Sequence, residues 1–339
     1  MGVDISSLVG GRAISLGDLS GKAVAIDAFN TLYQFLTTIR QPDGTPLRDR
    51  DGRVTSHLSG LFYRSVALLD IGVKPVFVFD GRPPELKSRT IETRRQARKT
   101  AEREWSDALR AGDMKRALTK ASQSSRLDAG MVDEAKRLLG SMGIPWVVSP
   151  TEGEAQMAHM ARKGDVWAGA SQDFDAILFG TPLLVRNLTL SKRRKTSSGG
   201  STPVTPELVE LEHVLEVLSI TREQLVDLSI LVGTDFNEGV RGIGPKKALK
   251  LIREHSSLEA MSERSTTGVP PDFEEVRRIF LDPEVDNDYR LDWKPVDAEG
   301  VRKLMCDQHG FSVDRIDSTL LRVRTTNAAR AQSCLDVWG

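Results

Sequence analysis

Ala-Val-Ala-Ile-Asp, residues 23–27, is an apolar run that closes on an acid. The same pattern recurs along the chain. PVFVFD ends on Asp80, PWVVSP runs into Glu152 and Glu154, VWAGASQ runs into Asp173 and Asp175, and LLVRNL covers 183–188. Such runs are short, rich in Val, Ile and Ala and mostly free of charge, which is how a strand buried on both faces reads. Helical patterns separate them through the first 235 residues. The expectation is therefore an α/β protein: a mostly parallel central sheet flanked by helices, with strands at Ala23–Ile26, Pro75–Phe79, Pro145–Val148, Val166–Ala170 and Leu183–Leu188.

Composition narrows the function classes. The chain has 339 residues, 39% of them hydrophobic and 28% charged. No stretch approaches the roughly 18 uncharged apolar residues of a membrane span. MGVDISSLVGGR carries an acid at Asp4 and has no apolar run before a cleavage site, so an intracellular, cytoplasmic protein is expected. Two cysteines, Cys306 and Cys334, and five scattered histidines disfavour a disulfide framework, thiol chemistry or a zinc site.

Charge is balanced overall, 47 basic against 47 acidic residues, but unevenly distributed. Between Arg82 and Arg126 there are thirteen Lys and Arg against six Asp and Glu, a local surplus of seven. Arg94, Arg95, Arg98, Lys99 and Arg103 fall on a polar helix with few apolar anchors. It reads either as a solvated surface helix braced by pairs such as Glu92 with Arg95, or as a basic surface for a polyanion. SKRRKTSSGGSTP, residues 191–203, is a polar loop whose cations could touch phosphate or merely keep it solvated. Beyond Pro206 the pattern turns helical, with segments near Pro206–Leu218, Thr221–Leu231 and Pro245–Arg253, shorter helices to about Arg324, and a terminal tail. There is no internal repeat.

The acids carry the chemistry. Asp27, Asp80, Glu152, Glu154, Asp173 and Asp175 all sit at strand carboxyl ends, which share one edge of a parallel sheet where ligands bind. Asp235, in ILVGTDF, can join them. Seven carboxylates in one cleft repel and raise one another's pKa unless cations neutralise them. Oxygen donors without His or Cys select hard ions, Mg²⁺ or Mn²⁺. That number of acids suits two ions about 4 Å apart acting on an in-line phosphodiester displacement. Each acid has a plainer reading: TEGE as a capping box with Thr151 at the N-cap and Glu154 at N3, and Asp173 and Asp175 as caps of the next turn.

Taken with MGVDIS, VAIDAFNTLYQFL, TSHLSGLFYR, KPVFVFDGRPPELK, SMGIPWVVSPTEGEAQMA, ASQDFDAILFG, LVGTDFNEGVRGIGPKKAL and QSCLDVWG, these residues resemble the flap endonucleases of the xeroderma pigmentosum G-type 5′ nucleases, most closely their archaeal members. The resemblance spans nearly the whole chain. It implies a PIN-like 5′ nuclease fold with an N-terminal nuclease region at 1–98, a basic helical arch at 82–126, an internal nuclease region at 116–258, a helical part of the same globule at 259–325 and a tail at 326–339. The seven acids would hold two Mg²⁺, or Mn²⁺, directly or through water. Lys87 and Arg94 would flank the scissile phosphate. Tyr33 would hold the adjacent nucleobase, a core tyrosine being the alternative. Gly2, Arg40, Arg64, Arg95 and Arg98 would approach DNA.

GIGPKKA, residues 242–248, resembles a helix-hairpin-helix, in which Gly242 and Gly244 turn backbone N–H groups toward a phosphate and Lys246 and Lys247 add charge; a plain interhelical turn is the alternative. The family suggests K⁺ at this element. Gln332, Leu335 and Trp338 resemble a sliding-clamp peptide, with Gly339 where a second aromatic usually stands. The implied activity is metal-dependent 5′-flap endonuclease and 5′–3′ exonuclease cleavage of branched DNA by a monomer, in Okazaki-fragment maturation and base-excision repair. The alternatives are a Holliday-junction nuclease of the same superfamily and a non-catalytic DNA and clamp adaptor.

Overall fold

β2 (Ala23–Asp27), β3 (Lys74–Phe79), β4 (Trp146–Val148), β5 (Ala168–Ala170) and β6 (Leu183–Arg186) run parallel; β9 (Glu207–Glu210) pairs antiparallel with β6, and β1 (Arg12–Ala13) pairs antiparallel with β9 at the sheet edge. The strand order is β1-β9-β6-β5-β2-β3-β4. A separate antiparallel pair joins β7 (Arg193–Lys195) to β8 (Ser201–Pro203). This is a computed structural model, and it describes residues 2–189, 193–195, 201–264 and 268–322.

Strand register sets the height at which the acids emerge. Asp27 lies opposite Val78 and Ile26 opposite Ala170, so Asp27 and Ser171 leave the sheet at the same level and Asp80 two residues farther along the same edge. The charge-free runs are explained by burial on both faces: Val76 and Val78 face one way, Phe77 and Phe79 the other, and all four are buried. One face packs on α1 (Ala28–Thr38), α2 (Ser56–Asp70) and α5 (Ala129–Ser141) through Leu32, Leu58, Phe62 and Leu138. On the other side of the sheet, α6 (Gly153–Lys163), α7 (Asp175–Leu178), α9 (Arg222–Val232) and α12 (Phe273–Leu281) share a core around Ala158, Phe179, Leu228 and Phe280. α13 (Ala298–Arg302) and a helix over 313–322 return to the first face through Val301, Ile316 and Leu320.

Two sequence expectations are corrected. Pro206–Leu218 is not helical throughout: Glu207–Glu210 is β9, and only Leu211–Leu218 forms a helix, α8. Leu208 and Val209 are both buried, one on each side, as an inserted strand requires. TEGE forms no capping box. Glu152 stands at the N-cap of α6 without a side-chain cap bond, and the Thr151 hydroxyl donates to the Glu284 carbonyl at 3.3 Å. Glu154 is thereby left to the cleft.

The basic stretch forms α3 (Ser88–Arg110) and α4 (Met114–Gln123), packed against each other. Over 23 residues α3 buries only Ala101 and Ala108. Ion pairs brace it: Arg95 with Glu92 at 3.6 Å, Lys120 with Glu104 at 2.7 Å and Arg126 with Glu102 at 3.0 Å. Residues 326–339, with Gln332, Cys334, Leu335 and Trp338, lie outside the described residues. Among the described residues no helix is long and apolar enough to cross a membrane.

Candidate active site

Asp27 ends β2 and caps α1, its Oδ1 accepting the Asn30 N–H at 2.9 Å. Asp80 follows β3 and accepts the Gly153 N–H at 2.8 Å, binding one strand end to the start of α6. Glu152 and Glu154 flank Gly153. Asp173 lies between β5 and α7 and Asp175 opens α7, its Oδ1 accepting the Val3 N–H at 2.8 Å. Asp235 follows α9. Electrostatic interaction links every member: Asp27 feels Asp80 and Asp173, Glu154 feels Asp175 and Asp27, Asp175 feels Asp235, and Glu152 feels Asp80. Seven acids from distant segments thus share one cleft.

Their protonation reflects that crowding. Burial, and then the Asp80 charge, pushes Asp27 up to about 8; burial and Asp235 push Asp175 up to about 7. Burial likewise raises Glu154, Asp80 and Glu152, with neighbouring acids adding to it. Two cations answer this charge. The Lys87 ammonium is hydrogen-bonded to Glu152 and stands 3.7 Å from Asp235 Oδ2, while Arg94 donates to Asp235 Oδ1 at 2.5 Å. Burial disfavours the Lys87 charge, but Glu152, Asp80 and Asp235 outweigh it and hold the ammonium above its usual range. Glu152 nonetheless stays raised beside Lys87, because one ammonium does not offset burial and two further acids.

Among the described residues no three acids have closed into a coordination sphere. The donor chemistry nonetheless fits divalent cations: oxygen donors only, largely withdrawn from solvent and under-neutralised. His57 and His309 pair away from the cleft, His57 with Glu134 and His309 with Asp49 and Glu134.

Other residues singled out in the sequence divide into two groups. Tyr33 is half-buried on α1 and its hydroxyl accepts from Arg98 Nη1 of α3 at 3.4 Å. Gly2 lies against Asp175: a Cβ there would fall 2.2 Å from Oδ1. Gly242 takes φ +80° ahead of α10 (Pro245–His255), which starts from Gly244 at its N-cap with Lys246 and Lys247 exposed. Away from the acids, Arg40 donates to the Leu36 and Gly44 carbonyls and to Ser125, pinning the 40–46 loop to the segment after α4. Arg64 is half-buried in α2, and Arg95 pairs with Glu92.

Sequence reading missed three supporting side chains. Ser171 Oγ reaches Glu154 Oε1 at 3.1 Å and Asp27 Oδ2 at 3.3 Å. Asn30 Nδ2 donates to Asp173 Oδ2 at 3.2 Å. Arg186 lies 4.1 Å over the Phe174 ring and donates to the Gln172 carbonyl at 3.3 Å, steadying the segment that bears Asp173 and Asp175. The signal available for Ser171 was its place at the strand end, level with Asp27.

The sequence matches the XPG N-terminal domain over residues 4–101 and the XPG I-region over 143–235. It is 48% identical over 340 residues to flap endonuclease 1 of Pyrococcus horikoshii, covering 100% of this chain and 98% of that protein. Among solved structures it resembles flap endonuclease-1 from Methanococcus jannaschii with a TM-score of 0.77 and 42% identity, over 97% of this chain and 100% of that one. It also resembles the catalytic core of Rad2 in complex with DNA substrate, TM-score 0.73 and 25% identity, over 95% of this chain and 100% of the other.

Proposed function

The chain belongs to the XPG family of nucleases, among its flap endonucleases, and from this we propose that the cleft of Asp27, Asp80, Glu152, Glu154, Asp173, Asp175 and Asp235 hydrolyses the phosphodiester at the base of a 5′ flap with two Mg²⁺. The enzyme is a metal-dependent nuclease acting on branched DNA. The observation that carries the assignment of the site is the convergence of seven electrostatically linked acids, with Asp27, Glu152, Asp175 and Asp235 buried, beside a basic two-helix element. Divalent cations bound by these acids supply a nucleophilic water at neutral pH and neutralise charge on the reacting phosphate.

The chain's own side chains do the rest. Lys87 and Arg94 lie at the foot of α3 and orient the phosphodiester, stabilising the charge that develops on it. Tyr33 holds the nucleobase beside the scissile bond. Arg95 and Arg98 on the arch follow the single strand by charge, as a sequence-tolerant ssDNA surface requires. The N-terminus of α10, with Gly242, Gly244, Lys246 and Lys247, takes a duplex phosphate, with K⁺ as the accompanying ion. Recognition is thus of backbone and shape, and affinity falls steeply with salt.

The tail residues Gln332, Leu335 and Trp338 bind a sliding clamp, Leu335 and Trp338 filling an apolar pocket; calorimetry on Trp338→Ala is expected to show a large loss of clamp affinity, and an unchanged affinity would remove that anchor. The enzyme works as a cytoplasmic monomer in Okazaki-fragment maturation and base-excision repair. The test of the main reading is cleavage of labelled flap, nicked, gapped and four-way DNA in Mg²⁺ and in chelator. Flap cutting that needs Mg²⁺ is expected to dominate. Four-way cutting above flap cutting, or cutting in chelator, would contradict it.

A further inference from the structure

We propose that Ser171 and Asn30 are positioning residues that hold Asp27, Glu154 and Asp173 in the orientation in which they receive divalent cations. The inference rests on the reading of the acid cleft as the metal site and extends it to two neutral side chains outside the carboxylate set. Ser171 is 5% exposed and directly follows β5. Its Oγ accepts the Asp173 N–H at 3.2 Å and offers its single proton between Glu154 Oε1 and Asp27 Oδ2, at 3.1 and 3.3 Å. Asn30 gives its backbone N–H to Asp27 Oδ1 at 2.9 Å and its amide to Asp173 Oδ2 at 3.2 Å. Acids borne by three chain segments, the ends of β2 and β5 and the first turn of α6, are therefore tied by two side chains that carry no charge.

Neutrality is the point of the arrangement. Lys87 and Arg94 also bind acids of this cleft, but they bring positive charge that competes with an incoming cation. A hydroxyl and an amide fix where a carboxylate oxygen points and leave its charge available. Outer partners of this kind typically change metal affinity by about 10–100-fold when removed. Ser171, Asn30, Thr31 and Thr189 also line a cavity of about 10 Å³, at the lower limit for holding one water.

The test is Mn²⁺ binding to the full chain without DNA, followed by the electron paramagnetic resonance of free Mn²⁺. Ser171→Ala is expected to weaken Mn²⁺ binding by about tenfold or more, while its thermal midpoint and its flap-DNA affinity in chelator stay at parent values. Ser171→Thr keeps the hydroxyl and is expected to restore the affinity. Asn30→Ala repeats the test from the opposite side, and carries it alone if Ser171→Ala does not fold. A folded Ser171→Ala with parental Mn²⁺ affinity overturns the positioning role, as does a Ser171→Thr that loses as much as Ser171→Ala. Asp27→Asn separates the two claims. If it binds Mn²⁺ as the parent does, the acid cleft itself fails as the metal site and the proposal falls with it; if it loses Mn²⁺ while Ser171→Ala does not, only the positioning role falls.

Discussion

Arg94 on α3 donates to Asp235 at 2.5 Å across 141 residues of sequence, joining the basic two-helix element to the acid cleft. Ion pairs on the exposed face of α3 are each worth about 0–1 kcal/mol. The Arg94 contact instead ties the foot of α3 to a buried acid of the cleft. Arg94→Ala is expected to lower the single-turnover cleavage rate by about 100-fold, the scale for removing one donor to a developing oxyanion. Flap affinity in chelator should change far less. Equal losses in rate and affinity would make Arg94 a general DNA contact.

Gly2 is constrained by contact rather than by conformation. A Cβ there would lie 2.2–2.3 Å from the carboxylate of Asp175, whereas one at Gly10 meets nothing within 4 Å. Gly2→Ala must displace Asp175, and misplacement of about 1 Å can cost about 100-fold. Gly2→Ala is expected to lose at least tenfold in cleavage rate at an unchanged thermal midpoint, with Gly10→Ala at the parent rate. Equal rates for both would show that the Gly2 contact leaves Asp175 free to adjust.

Asp49 supplies a pH dependence remote from the acid cleft. Its side chain is 2% exposed, with His309 Nδ1 at 2.9 Å and Arg53 Nε at 2.7 Å. Burial pushes its carboxyl up, but the bonds from His309 and Arg53 outweigh that and hold it at about 2, below the ordinary 3.8. A carboxyl depressed in the folded state stabilises above its unfolded pKa, and that contribution fades as pH falls through the folded value. Asp49→Asn should therefore have a lower denaturation midpoint than the parent at pH 6, with the gap narrowing between about pH 4 and pH 2. A gap independent of pH would assign the loss to packing.

The strand cores and the acids were legible because both depend on local composition: a charge-free run such as PVFVF can only be buried, and an acid closing it must emerge at the sheet edge. β9 was not legible. Glu-Leu-Val-Glu leads directly into a helix, and its strand pairing comes from β6 and β1, which are distant in sequence. TEGE has the spacing of a capping box, but Thr151 is drawn to Glu284, a tertiary partner that spacing cannot show. Ser171 and Asn30 were missed for a related reason, since a serine before Gln-Asp and an asparagine in the first turn of a helix are ordinary local choices. Their role emerges only once β2 and β5 lie side by side. Arg40, a DNA contact by the family resemblance, also gives its donors to Leu36, Gly44 and Ser125, partners that spacing does not show.

Asp175 touches the N-terminal segment through Val3 and interacts with Asp173, Asp235 and Glu154, so it lies where the separate acidic segments meet. The decisive measurement is single-turnover cleavage of a 5′-flap duplex in Mg²⁺ by Asp175→Ala, alongside flap binding in chelator. Cleavage should fall by at least about 1,000-fold while binding stays within about threefold of the parent, as expected when a group acts on the transition state alone. Parental cleavage by Asp175→Ala would contradict the assignment of this cleft as the place where the phosphodiester is cut.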